Sequence, residues 1–132
     1  MARVKPVEVD TEEAKFINAV KKLYPGKKIH GIFQPHLYTR TRDFADEFAK
    51  SLDLLDDCTL LPIYPAREIP IPGVSSEMLL AKMKGKNKRV LEMREVENYI
   101  KNEKLEVLVS LGAGNIDQLV TPIEEILNER CN

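Results

Sequence analysis

Between Gln34 and Arg42 the sequence places one imidazole, two guanidinium groups and three hydroxyls within nine positions, Gln34-Pro35-His36-Leu37-Tyr38-Thr39-Arg40-Thr41-Arg42. Fixed cations beside hydroxyl donors recognise carboxylates or phosphates, because charge-assisted bonds from arginine are short, strong and two-pronged. A helix starting near Thr41 would add unpaired amides and the positive end of its dipole. His36, Tyr38, Thr39 and Arg40 are therefore the candidate binding residues, since a surface loop needs no His-x-x-x-Arg in order to fold. Arg42 reads differently, as a surface partner of Asp46, with Thr41 capping the helix.

Two other loops carry candidates. Gly112-Ala113-Gly114-Asn115-Ile116 resembles a dinucleotide turn, but Asp117 stands where a third glycine or alanine belongs, and only one helix follows. It is either a tight strand-to-helix turn using positive φ, or a run of amides facing a shared cleft, which makes Gly112, Gly114 and Asn115 candidates. In Tyr64-Pro65-Ala66-Arg67-Glu68, Arg67 and Glu68 either reach a ligand or a neighbouring domain, or pair with each other. The sequence has no GxxxxGK[ST], no GxSxG and no His-plus-Cys metal spacing, so neither a P-loop, a serine elbow nor a metal site is expected. His30 reads as a satisfied strand residue and not a ligand. No complete catalytic set is visible.

The elements that must position these residues alternate. Asp10 or Thr11 caps a first helix, with Phe16, Ile17, Val20 and Leu23 at helical spacing and Pro25-Gly26 as the stop. A strand over Lys28–Phe33 is ended by Pro35, and a helix over Thr41–Leu52 carries Phe44, Phe48 and Leu52 as its stripe. Asp57–Tyr64 reads as a strand in which Pro62 marks an end or bulge. A stiff proline-rich loop leads to a helix capped by Ser75 or Ser76 and running through Lys84, with Met78, Leu79 and Met83 apolar. Then come a short strand over Arg89–Glu92, a helix over Glu95–Asn102, and a strand over Leu105–Leu111 expected to be buried on both faces. The last helix spans Asn115–Arg130, with Pro122 kinking it or marking a restart. Short apolar strands alternating with helices specify an α/β domain, three layers (α/β/α) and Rossmann-like, with a mainly parallel sheet. Ligands of such sheets bind beyond the carboxyl ends of the strands.

The chain has 132 residues, the size of one domain, with 20 basic and 21 acidic side chains and a net charge of −1. That balance offers no footprint for nucleic acid or an anionic membrane surface. No apolar run is long enough for a membrane span, and Met1 to Pro6 hold no secretory h-region. A cytoplasmic location is expected, with Cys58 and Cys131 as reduced thiols, Cys58 in the core and Cys131 idle in a tail.

Three ordered segments between Phe33 and Ile116 carry a resemblance that extends over roughly residues 11–127. Phe33-Gln34-Pro35-His36-Leu37-Tyr38-Thr39-Arg40-Thr41 is similar to the Phe-Gln-Pro-His-x-Tyr-[Ser/Thr]-Arg-Thr segment of UDP-N-acetylmuramate–L-alanine ligases, in the Mur ligase family. Tyr64-Pro65-Ala66-Arg67-Glu68 with Pro70-Ile71-Pro72-Gly73 resembles that family's Tyr-Pro-Ala-x-Glu-x-Pro-Ile-x-Gly. Gly112-Ala113-Gly114-Asn115-Ile116 resembles its Gly-Ala-Gly-[Asn/Asp]-Ile turn. The resemblance implies an ATP-dependent, ADP-forming amide ligase of peptidoglycan synthesis. In such an enzyme the muramoyl carboxylate becomes an acyl phosphate and the amine of L-alanine displaces phosphate. It also implies that residues 11–132 are the carboxy-terminal, closing domain, after a short lead over 1–10. The upstream domains would bind UDP-N-acetylmuramate, ATP and Mg2+, so this chain alone would hold no cofactor and be inactive. Arg40 would hold the alanine carboxylate, with His36 beside it near the acyl phosphate. Two departures stand out: Leu37 occupies a position where many relatives have arginine, and Val4 to Asp10 replace the family's Asp-Asp-Tyr-[Ala/Gly]-His-His-Pro stretch. The residues by themselves also allow a Mur ligase domain for a different amino acid, or a free-standing module for small carboxylates or phosphates.

Overall fold

The structure is a computed structural model that describes residues 11–112 and 115–131. The lead over 1–10 and Gly114 lie outside the described residues, as do the side chains of Asn115 and Cys131. The elements run α1 (Glu12–Leu23), β1 (Ile29–Gln34), α2 (Tyr38–Asp43), α3 (Ala45–Leu52), β2 (Asp57–Leu60), α4 (Ser76–Lys82), β3 (Lys88–Val90), α5 (Met93–Asn102) and β4 (Val107–Gly112). A 3₁₀ turn (Asn115–Leu119) and α6 (Val120–Cys131) complete them. The four strands form one parallel sheet in the order β3-β2-β1-β4. Ile17, Phe48, Leu52 and Leu79 pack with Ile29, Phe33, Leu60 and Leu111 on one face. Val96, Ile100, Ile116, Ile123 and Ile126 pack with Ile32 and Leu61 on the other. The chain is thus the three-layer α/β/α domain that the alternating pattern specifies.

Local chemistry accounts for several boundaries. Thr11 caps α1 by accepting from the Ala14 amide at 3.0 Å, and its hydroxyl meets the Ser51 hydroxyl at 2.6 Å, fastening α1 to α3. Ser75 caps α4 by accepting from Met78. Glu92 and Glu95 form a capping box, so α5 starts at Met93, two residues ahead of expectation. Pro122 falls in the first turn of α6, just after the 3₁₀ turn, where a missing amide hydrogen costs little. It marks a restart of the helix.

Other expectations need correction. The single helix expected over Thr41–Leu52 is two: α2 begins at Tyr38, and Phe44 separates it from α3. Thr41 does not cap a helix but is fully buried, donating its hydroxyl to the Leu37 carbonyl at 2.8 Å. Arg42 pairs with Asp43 at 3.0 Å, whereas Asp46 pairs with Lys82. Phe16, Leu23 and Phe44, placed on apolar stripes by spacing, are among the exposed large hydrophobics. β2 ends at Leu60, and beyond it the Leu61 amide still donates to the Phe33 carbonyl at 2.9 Å and an isolated bridge joins His36 to Tyr64. β4 is not buried on both faces, because it is an edge strand whose Ser110 and Gly112 are exposed. Cys58 is buried as expected, and burial pushes its thiol up to about 12, so it is inert. Among the described residues no helix is long and apolar enough to cross a membrane.

Candidate functional site

The strand order reverses between β1 and β4, and in doubly wound sheets that is where a cleft opens. β1 and β4 end together, with Gln34 paired to Gly112. A cleft of about 280 Å³ sits there, lined by Glu13, Phe33, Gln34, His36, Arg40, Phe48 and Gly112. Five elements, α1, β1, α2, α3 and β4, therefore converge on one volume. α1 contributes Glu13, the β1 end contributes Gln34 and His36, α2 contributes Arg40, and Phe48 of α3 closes the apolar floor against Phe33 at 5.5 Å.

Each wall is braced. Pro35 ends β1, and the chain then crosses to the loop after β2. The Tyr64 amide donates to the Pro35 carbonyl at 2.8 Å, and the Leu37 amide donates to the Tyr64 carbonyl at 2.9 Å. His36 stacks on Tyr64 with ring centroids 5.7 Å apart and planes 14° apart. Gln34, buried at the strand end, donates to the Pro62 carbonyl at 3.4 Å and accepts from the Ile116 amide at 2.8 Å. One amide side chain thus fixes β1 to both neighbouring loops.

The candidates named from sequence separate into two groups. His36, Arg40 and Gly112 line the cleft. Tyr38 and Thr39 do not, and both belong to the first turn of α2 instead of a loop. Thr39 is bound to Glu68: its amide donates to one carboxylate oxygen at 3.1 Å and its hydroxyl to the other at 2.5 Å. The helix amides offered to an anion by the sequence reading are in part taken by this carboxylate. The Thr39 hydroxyl and the Thr39 and Tyr38 amides hold the Glu68 carboxyl below its ordinary value. Among the described residues Arg67 and Glu68 form no ion pair with each other.

Relatives decide the family. No family model matches the chain. A UDP-N-acetylmuramate–L-alanine ligase of Parabacteroides distasonis is 56% identical over 84% of this chain and 24% of that protein. One from Porphyromonas gingivalis is 46% identical over 96% of this chain, and one from Flavobacterium johnsoniae 46% identical over 84%. The chain belongs to the UDP-N-acetylmuramate–L-alanine ligase family. It spans about a quarter of the length of the curated relatives it matches.

Glu13, Gln34 and Tyr64 also belong to the site, although none is singled out by its sequence position. Gln34 had a readable signal, a polar side chain at the end of an otherwise apolar strand. Glu13 had none, because nothing local says which helix starts beside the ends of β1 and β4. The fold also needs glycine at 112. Its φ is 109°, and a Cβ there would stand 2.3 Å from the Gln34 carbonyl oxygen. Gly112→Ala is expected to destabilise the fold by about 2 kcal/mol or more, from strained backbone plus that contact. Urea denaturation checks it, and an unchanged midpoint would contradict the close approach of β4 to β1.

Proposed function

We propose that this chain is the carboxy-terminal domain of an ATP-dependent UDP-N-acetylmuramate–L-alanine ligase, and that its β1–β4 cleft holds the amino acid. The observation that carries the reading is the convergence of His36 and Arg40 on one cleft at the point where strand order reverses. Arg40 pairs its guanidinium with the alanine carboxylate, which leaves the amine free and oriented toward the muramoyl carboxyl. The imidazole of His36, held flat against Tyr64, faces the same volume and stabilises charge as the amide forms.

ATP supplies the activation of the muramoyl carboxyl. The sequence of this chain has no GxxxxGK[ST] phosphate loop. Binding of ATP, Mg2+ and the UDP sugar is assigned to the remainder of the ligase, and the role of this chain is to deliver the amine.

The test is phosphate release by the intact ligase, with each substrate omitted in turn. Release is expected to require both UDP-N-acetylmuramate and L-alanine, and to fall sharply with glycine, serine or D-alanine at equal concentration. Release that ignored L-alanine, or preferred another amine, would overturn the substrate assignment.

A further inference from the structure

We propose that Glu68 is a positioning residue for this site: it holds the first turn of α2 through Thr39 and thereby sets where Arg40 stands. The inference rests on the assignment of the cleft to the amino acid and names a residue outside the cleft on which that binding depends.

α2 begins without a cap of its own. Its N-cap residue is Leu37, which has no side-chain acceptor and sits at φ 70°, ψ 137°, a conformation that L residues rarely adopt. A six-residue helix with no cap is marginal by itself. Glu68 supplies the missing acceptor from 29 positions away, one carboxylate oxygen on the Thr39 amide and the other on the Thr39 hydroxyl. A carboxylate is also the favoured charge at that end of a helix.

Glu68 is itself held. Ala66 turns the chain with a φ of 51°, and the Glu68 amide donates to the Pro65 carbonyl at 2.8 Å. The preceding residue, Tyr64, is zipped to Pro35 and Leu37 by two backbone bonds. The two loops therefore behave as one body, joined by Tyr64 at one end and by Glu68 at the other. Arg40 follows Thr39 directly, is exposed, and has no ion-pair partner among the described residues. Its placement comes from the backbone of α2 and, through Thr39, from Glu68.

The test is the alanine dependence of the intact ligase carrying Glu68→Ala, Glu68→Gln and Thr39→Val, each alone and with Arg40→Ala. Glu68→Ala is expected to raise KM for L-alanine about tenfold, with KM for ATP and kcat at saturating alanine changed less than about twofold. Glu68→Gln restores most of the loss, because its amide accepts from the Thr39 amide and donates to the hydroxyl. Thr39→Val, which keeps the backbone bond, gives about a threefold rise and remains informative if Glu68→Ala does not fold. In the Arg40→Ala background, Glu68→Ala adds nothing further. An Arg40→Ala effect on KM without any effect of Glu68→Ala or Thr39→Val would overturn the positioning role and leave the alanine site standing. An equal Glu68→Ala effect with and without Arg40 would do the same. An Arg40→Ala variant with normal alanine dependence would overturn the site assignment itself, and this inference with it.

Discussion

Arg40→Ala in the intact ligase is expected to raise KM for L-alanine by about 10- to 100-fold, the cost of one charge-assisted contact of about 1.5–3 kcal/mol. KM for ATP should stay within about twofold, since the contact concerns only the amino acid. No arginine stands beside it to compensate, because position 37 is leucine. Arg40→Lys keeps the charge but loses the two-pronged fork, so a smaller rise is expected. The guanidinium is exposed, and added salt should therefore weaken alanine binding in the native enzyme more than in Arg40→Ala. Initial rates over a range of alanine concentrations decide it. An unchanged alanine dependence would remove Arg40 from the site.

The second large effect concerns stability, at the amino-terminal edge of the sheet, on the side facing α5. Asp57, buried at the start of β2, accepts from both ends of the Arg89 guanidinium at 2.6 and 3.1 Å. It also accepts from the Tyr99 hydroxyl at 2.6 Å and meets the His30 Nδ1 at 3.1 Å. Arg89 in turn lies over the Tyr99 ring, 4.6 Å from its centroid. Asp57→Ala leaves a half-buried cation and a phenol without their shared acceptor, and an expected loss of about 3 kcal/mol follows. Arg89 keeps its bond to the Thr59 hydroxyl at 2.9 Å, which holds the loss toward the low end.

The same carboxylate gives a pH dependence. Burial alone pushes the Asp57 carboxyl up, but hydrogen bonds from Arg89 and Tyr99, the Arg89 charge and the His30 bond outweigh it and hold the group below its ordinary 3.8. A depressed carboxylate stabilises the fold fully above its unfolded value, and that contribution is lost as pH falls through the folded value. The unfolding free energy of the native chain should therefore drop below about pH 4, and drop less in Asp57→Ala. Urea denaturation at pH 7 and pH 3 measures both effects. Equal acid sensitivity in the two proteins would contradict the account of this network.

Much of this architecture was legible because it is written locally. Alternating apolar runs and caps such as Thr11 and Ser75 need only a few neighbouring residues to be recognised. The motif around His36 and Arg40 was legible as chemistry before any geometry was known. What escaped depends on distant partners. α2 starts at Tyr38 because Glu68 caps it, and leucine at its N-cap gives no sign of a positive φ. Phe44 looked like core by spacing, yet the break between α2 and α3 turns it outward. β4 reads as a buried run, but its place at the sheet edge depends on strand order. The Asp57 network draws residues from β1, β2, β3 and α5, so no window of sequence contains it. Glu13 reaches the cleft only because the first turn of α1 lies beside the ends of β1 and β4.

The most direct measurement is the structure of the intact ligase with UDP-N-acetylmuramate, a non-hydrolysable ATP analogue and L-alanine bound. The alanine carboxylate is expected in the β1–β4 cleft, with its oxygens about 2.7–2.9 Å from the Arg40 guanidinium and its amine turned toward the muramoyl carboxyl. An alanine carboxylate held by other residues, with Arg40 left in solvent, would contradict the site assignment.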